Sequence, residues 1–215
     1  MSKLVFGLGT GRCGTVSLTE LLDSQKDVQA THELIITPWK FSQQHINSTI
    51  TALTKRRCAI SCDVSFWHLP YVEYILDKYT DAKFVCLERD KEATVISYNN
   101  KTGPNVKLGK KPRNHWTDRN SQYWEPGTFR EDPVYDKCYP KYDLPKLLAI
   151  EAYWVEYYEM SQFYENKFPE NFRVYKTEEV LNDAPTQKNL LTFVGISEED
   201  MIVRTFIHKN KTKQG

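Results

Sequence analysis

The chain has 215 residues, 40% of them apolar and 27% charged, enough for a single domain with an adequate core and unlike disordered or fibrous compositions. A formal net charge of +1 excludes bulk affinity for nucleic acid or for a membrane surface. Five cysteines without a framework spacing suit a reducing compartment, and no apolar run approaches the roughly 18 residues of a membrane span. Because Met1-Ser-Lys3 runs straight into an apolar stretch, no room is left for a signal peptide, and a cytoplasmic location is expected.

The first element is a strand from Leu4 to Phe6, followed by a turn holding Gly7, Gly9, Gly11 and Gly14. From Thr15 the period changes, and Val16, Leu18, Leu21 and Leu22 fall on one helical face. A strand, a glycine turn and a helix N-terminus aim backbone N–H groups and the positive end of a helix dipole at one spot, which suits a phosphate. Arg12 adds a full charge inside the turn.

Three known loop chemistries can be tested against it. A Walker A loop needs Lys and then Ser or Thr after Gly14, and Thr15 and Val16 stand there, so an ordinary NTPase is excluded. A cysteine phosphatase needs Arg six residues after Cys13, where Thr19 stands. A helix N-terminus and Arg12 would lower the Cys13 thiol pKa, but its simpler role is to contribute a backbone amide. The dinucleotide pattern G-x-G-x-x-G does match at Gly9, Gly11 and Gly14, with Glu33 near the distance of a ribose-binding acid. An NAD(P)-binding Rossmann oxidoreductase therefore stays open as an alternative.

After a polar turn at 24–27, the chain runs through Val28–Ile36 to Pro38, where a moderately amphipathic helix to Thr54 can begin. Cys58–Val64 is a short, largely apolar strand, and its two thiols lack a second metal-ligating pair. Phe66–Tyr79 has helical periodicity, with Pro70 in its first turn. Lys83–Leu87 is the next strand, followed by Glu88-Arg-Asp90 and a helix from Lys91 to about Tyr98. Alternating strands and helices imply a single α/β domain with a central, mostly parallel sheet, opened by the N-terminal phosphate-binding strand–loop–helix. Ligands of such sheets bind at the carboxyl ends of the strands, where both the glycine turn and Arg89 lie. Residues 101–145 break the periodicity with Pro, Gly, Asn, lysines and aromatics, as expected of an irregular cap or substrate-binding surface. Leu147–Phe168 is a long helix whose aromatic stripe is expected in the core. Phe172–Tyr175 is a strand, and short helices follow at 177–181 and 186–194, the latter ending at Gly195. Ser197 is placed to cap a further turn, and the tail is basic.

The loop Thr10-Gly-Arg-Cys-Gly-Thr-Val-Ser17 resembles G-x-[PG]-[RK]-[SC]-G-T-[TS], the opening motif of sulfotransferases that use 3′-phosphoadenosine 5′-phosphosulfate (PAPS). The resemblance extends to bacterial and tyrosylprotein members. It implies that Gly11, Arg12, Cys13, Gly14, Thr15, Val16 and Ser17 grip the 5′-phosphosulfate, although Val16 replaces the family's second Thr. The family's second signature, an Arg after a core strand and a Ser eight residues later, is matched by Arg89 and Ser97, implying a 3′-phosphate site. Arg offers a forked permanent charge and Ser one neutral hydrogen bond. The position of Glu33, 21 residues after Arg12, matches the general base of tyrosylprotein enzymes, and His32 beside it is an alternative base. Cytosolic small-molecule enzymes use a His instead, for which His68 is the nearest candidate. The lysine that tyrosylprotein enzymes carry near Cys62–Phe66 is absent. Lys209 and Lys211 lie where the family brings a late loop onto the nucleotide. The expected reaction is sulfuryl transfer from PAPS to a hydroxyl or amine of a small molecule, saccharide or peptide, leaving 3′,5′-ADP and needing no metal. A non-catalytic nucleotide-binding protein is the other alternative.

Overall fold

The computed structural model describes residues 2–35, 43–101, 144 and 146–204, with Lys101 and Lys146 as backbone only. Its strands are β1 (Lys3–Leu8), β2 (Val28–His32), β3 (Ile60–Val64), β4 (Lys83–Glu88) and β5 (Phe172–Lys176). Its helices are α1 (Thr15–Asp23), α2 (Gln43–Thr54), α3 (Val72–Leu76), α4 (Lys91–Lys101), α5 (Lys146–Lys167), α6 (Thr177–Asn182) and α7 (Ala184–Val194). The strands form one five-stranded sheet in the order β2-β3-β1-β4-β5, and every pairing is parallel.

Apolar side chains on both faces of β1 and β4, and on one face of β3, whose other face buries Ser61 and Asp63, fit these strands to the interior positions of a sheet covered by helices. Leu4, Phe6 and Leu8 alternate into a layer with Phe84, Cys86, Phe172 and the inward faces of α2, α3 and α5. Val5, Cys62, Val64, Val85 and Leu87 meet α1, α6 and α7 on the other side. Each fully buried Leu, Val or Phe contributes about 1.5–3 kcal/mol in this arrangement. The expected α/β architecture with helices on both sheet faces is what forms.

Four local expectations change. The helix expected from Phe66 is a 3₁₀ segment, Phe66–Tyr71, leading into the short α3. Pro70 has no N–H to donate and disfavours α geometry at Leu69, which accounts for the tighter turns before it. On α1 the buried face is Thr15, Leu18, Leu21 and Leu22, while Val16 is 42% exposed. Strand β3 begins at Ile60 rather than Cys58. Ser197 precedes the 3₁₀ turn Glu198–Asp200, but its hydroxyl donates to the Asp200 carboxylate instead of accepting a backbone amide. The start of the helix expected from Pro38, residues 102–143 and the basic tail lie outside the described residues. No helix among those described is long and apolar enough to cross a membrane.

Candidate active site

The loop between β1 and α1 is built from unusual backbone angles. Gly9, Gly11 and Gly14 have φ of 144°, 82° and 95°, and Arg12, without glycine's freedom, has φ 58°. The carbonyls so turned are all accounted for. Tyr98 and Tyr153 hydroxyls donate to Thr10 O, the latter at 3.1 Å, and Thr10 Oγ1 donates to Gly11 O at 3.0 Å. Arg89 Nη1 donates to Arg12 O at 2.9 Å, Thr177 Oγ1 to Cys13 O at 2.8 Å, and Leu18 N–H to Gly14 O at 3.0 Å. Five successive carbonyls are thus occupied by protein donors. The first-turn amides of α1 have no intrahelical acceptor by construction, so what the loop offers a ligand is N–H groups and the helix dipole. An anion fits that set.

Phenol hydroxyls of α5 hold the loop from beneath. Tyr157 accepts the Gly9 N–H at 3.0 Å and donates to Phe66 O at 3.0 Å, while Tyr158 donates to Leu87 O at 2.7 Å. The aromatic stripe is core, as expected, but its hydroxyls also anchor the loop, which the sequence reading missed. The signal was available in the choice of Tyr over Phe at buried positions, since a buried phenol needs a partner. Tyr157→Phe leaves the Gly9 N–H and the Phe66 carbonyl without this partner, at about 1–3 kcal/mol per orphaned group. Urea denaturation is expected to show that loss, with the slope unchanged.

Arg12, Arg89 and Ser97 come together from distant parts of the chain. Arg12 Nε donates to Ser97 Oγ at 3.1 Å. Arg89 lies 3.8 Å from the carboxylate of Glu178 at the start of α6, and Trp154 Nε1 donates to Arg89 O at 3.2 Å. The two motifs therefore form one cationic edge at the carboxyl ends of β1 and β4.

Cys13 is fully buried, and burial pushes its thiol up despite opposing hydrogen bonds from the Gly11 backbone, Thr10 and Tyr158. Burial thus disfavours the thiolate that a nucleophilic role would need. Cys62 is likewise buried and its thiol is raised by desolvation. Among the described residues, no group of three or more His, Cys, Asp or Glu could hold a metal ion.

His32 and Glu33 sit at the end of β2. His32 Nε2 lies 3.0 Å from Thr15 Oγ1, and burial lowers its pKa against the opposing charge of Asp63. Glu33 is partly exposed and adopts φ 53°, with its N–H donating to Val64 O at 3.1 Å. Burial first, and the negative charge of Asp63 second, raise its carboxyl above the ordinary range. His68 is fully buried, packs edge-on against Phe6, and has Nε2 2.7 Å from Asp63 Oδ2. Its ring is committed to the core, whereas His32 and Glu33 are both partly exposed. Asp63, missed in the sequence, is fully buried at the end of β3. An acid in an otherwise apolar strand was the available clue. Lys209 and Lys211 lie outside the described residues.

The sheet order also bears on the dinucleotide alternative. Dinucleotide folds place the strand carrying the ribose-binding acid beside the first strand. Here β3 stands between β1 and β2, so Glu33 leaves the sheet two strands from the glycine loop.

No protein-family model matches the chain, and no curated protein matches it by sequence. Solved structures do. A sulfotransferase from Alicyclobacillus acidocaldarius superposes with a TM-score of 0.58 at 17% identity, over 97% of this chain and 87% of that one. Mouse sulfotransferase SULT7A1, complexed with PAP, superposes with a TM-score of 0.53 at 13% identity, over 91% of this chain and 60% of that one. With its parallel sheet, its phosphate-type loop and these structural relatives, the chain has the sulfotransferase-type fold.

Proposed function

We propose that this protein is a PAPS-dependent sulfotransferase that moves a sulfuryl group to a hydroxyl or amine of a small-molecule, saccharide or peptide acceptor. The observation that carries the reading is the glycine loop, whose carbonyls 10–14 are all occupied by protein donors, joined through Arg12 to Arg89 and Ser97. A mouse structural relative complexed with PAP supports a nucleotide of this class.

In this reading the amides from Gly11 to Ser17 and the Arg12 side chain hold the 5′-phosphosulfate, and Arg89 and Ser97 the 3′-phosphate. Lys209 and Lys211 remain the further nucleotide-binding cations that the family resemblance implies. PAPS supplies a sulfuryl group already attached to a good leaving group. Glu33 accepts the acceptor's proton at its carboxylate, and its raised pKa makes it a stronger base than an ordinary glutamate. His32, adjacent and bonded to Thr15, steadies the end of β2 against the loop. Arg12 offsets negative charge growing on the leaving oxygen, as cationic clamps do in phosphoryl transfer.

Calorimetry with 3′,5′-ADP tests the donor assignment. The wild type is expected to bind, and Arg89→Ala to bind about 10- to 150-fold more weakly, the worth of a charge-assisted hydrogen bond. Absent binding, or equal binding by Arg89→Ala, refutes the donor site. Tight NADH binding with no response to 3′,5′-ADP would instead favour an oxidoreductase. Nucleotide binding without transfer to any acceptor would mark a non-catalytic binding protein.

A further inference from the structure

Asp63 is buried to 0% exposure, yet its carboxyl lies below the ordinary range: burial alone would raise it, and hydrogen bonds and charge from its surroundings more than offset that. A buried carboxylate persists only when it is fully hydrogen-bonded. Oδ1 accepts from Thr31 Oγ1 at 2.9 Å and from the Leu34 N–H at 3.0 Å, while Oδ2 accepts from Ser65 Oγ at 2.8 Å and pairs with His68 Nε2 at 2.7 Å. Two of these partners lie on β2 and its exit, and two on the segment leaving β3. Thr31 and Asp63 are direct neighbours in the β2–β3 register. One side chain therefore fastens the exits of two strands together.

The residue held between those fastenings is Glu33. Its positive φ costs a non-glycine residue about 1–2 kcal/mol, and the chain keeps it by anchoring the amides on both sides of the bend. The Glu33 N–H goes to the Val64 carbonyl and the Leu34 N–H to Asp63. A backbone strain maintained by a buried charge, next to a partly exposed carboxylate, is poorly explained as packing. Other polar groups at this spot are His68 against Asp63, His32 on the same strand, and Tyr98 of α4, whose phenol is affected by both Glu33 and Arg12. Of these charges, Asp63 is the one that adds to burial in raising Glu33.

We infer that Asp63 is the positioning residue of the candidate base: it holds the Glu33 bend through the Leu34 amide and presents a fixed negative charge to the Glu33 carboxylate. The inference rests on the assignment of Glu33 as base. Nuclear magnetic resonance of the full chain, carrying carboxyl-labelled glutamate and aspartate, tests it without any acceptor. The Glu33 signal is identified by its loss in Glu33→Gln. In Asp63→Asn its titration midpoint is expected to move down toward the ordinary glutamate value. An unmoved midpoint in a folded Asp63→Asn overturns the inference. Should that variant fail to fold, the wild type decides: Asp63 is expected to be ionised throughout the range in which Glu33 titrates, and a neutral Asp63 there overturns it equally. The assignment of Glu33 as base fails separately, by near-normal turnover of Glu33→Gln.

Discussion

Glu33→Gln is expected to lower turnover by about two to four orders of magnitude while leaving 3′,5′-ADP affinity within a fewfold of wild type. The substitution keeps the size of the side chain and removes only its ability to accept a proton. Labelled PAPS, assayed against the acceptor returned by a screen of phenols, sugars and peptides, gives the turnover, and calorimetry gives the affinity. The pH profile follows from the direction of the Glu33 shift. A base works when deprotonated, so activity is lost as pH falls through the Glu33 pKa. Because burial and Asp63 raise that pKa, the acid limb is expected above the range of an ordinary glutamate. For stability the sign is opposite. A carboxyl raised in the folded state favours folding while it is protonated, and that contribution is lost as pH rises through its folded pKa. Above its folded pKa the ionised Glu33 is thus a liability, and there Glu33→Gln is expected to unfold no more easily than wild type. Lost turnover without lost stability is the signature of a base. Near-normal turnover excludes it, and parallel loss of nucleotide affinity would mean that Glu33 shapes the donor site instead.

The parts of this site that the sequence announced are those with a local pattern. Glycines at Gly9, Gly11 and Gly14 between an apolar run and a helical period imply a loop with a particular backbone, and that backbone forms. Arg89 after a strand and Ser97 one helical stretch later are also a short-range pattern, and both reach Arg12. The hidden parts depend on contacts across long stretches of chain. Tyr157 meets Gly9 across 148 residues, and no periodicity within α5 indicates that its hydroxyl has work beyond packing. Asp63 looks like an interruption of an apolar strand until β2 is seen to pair with β3. The stretch from Val28 carries no assigned element in the sequence, and only the sheet shows Val28–His32 as a strand with β3 between it and β1. That insertion sets Glu33 two strands from the glycine loop, where a ribose-binding acid would stand one strand away. Pro70 was legible as a helix-start residue, yet its missing N–H favoured a 3₁₀ segment that buries His68 beside Asp63.

Gly9→Ala is expected to abolish 3′,5′-ADP binding and to lower the free energy of unfolding by several kcal/mol. Gly9 has φ 144°, a region essentially reserved for glycine, and forcing an alanine into it costs about 1–3 kcal/mol. A Cβ there would stand 2.8 Å from the Leu87 carbonyl oxygen and closer still to Cys13 Sγ. Neither neighbour can yield cheaply. Leu87 O belongs to β4 and accepts the Tyr158 hydroxyl at 2.7 Å, and the Cys13 thiol is fully enclosed. Overpacking of this kind adds about 1–3 kcal/mol. The loop must therefore lift, breaking the Gly9 N–H bond to Tyr157 and turning the carbonyls of residues 10–14 out of register with their donors. Against total stabilities of about 5–15 kcal/mol, that is a large fraction. Val16→Ala, at an exposed position on the same loop–helix unit, is expected to stay within about 0.5 kcal/mol of wild type in stability. Urea denaturation of both variants, with calorimetry of Gly9→Ala, separates a cradle fixed by its surroundings from one that relaxes freely. A Gly9→Ala protein that unfolds with the wild type and binds nucleotide as well would show that the tyrosine and threonine donors beneath the loop do not set its shape.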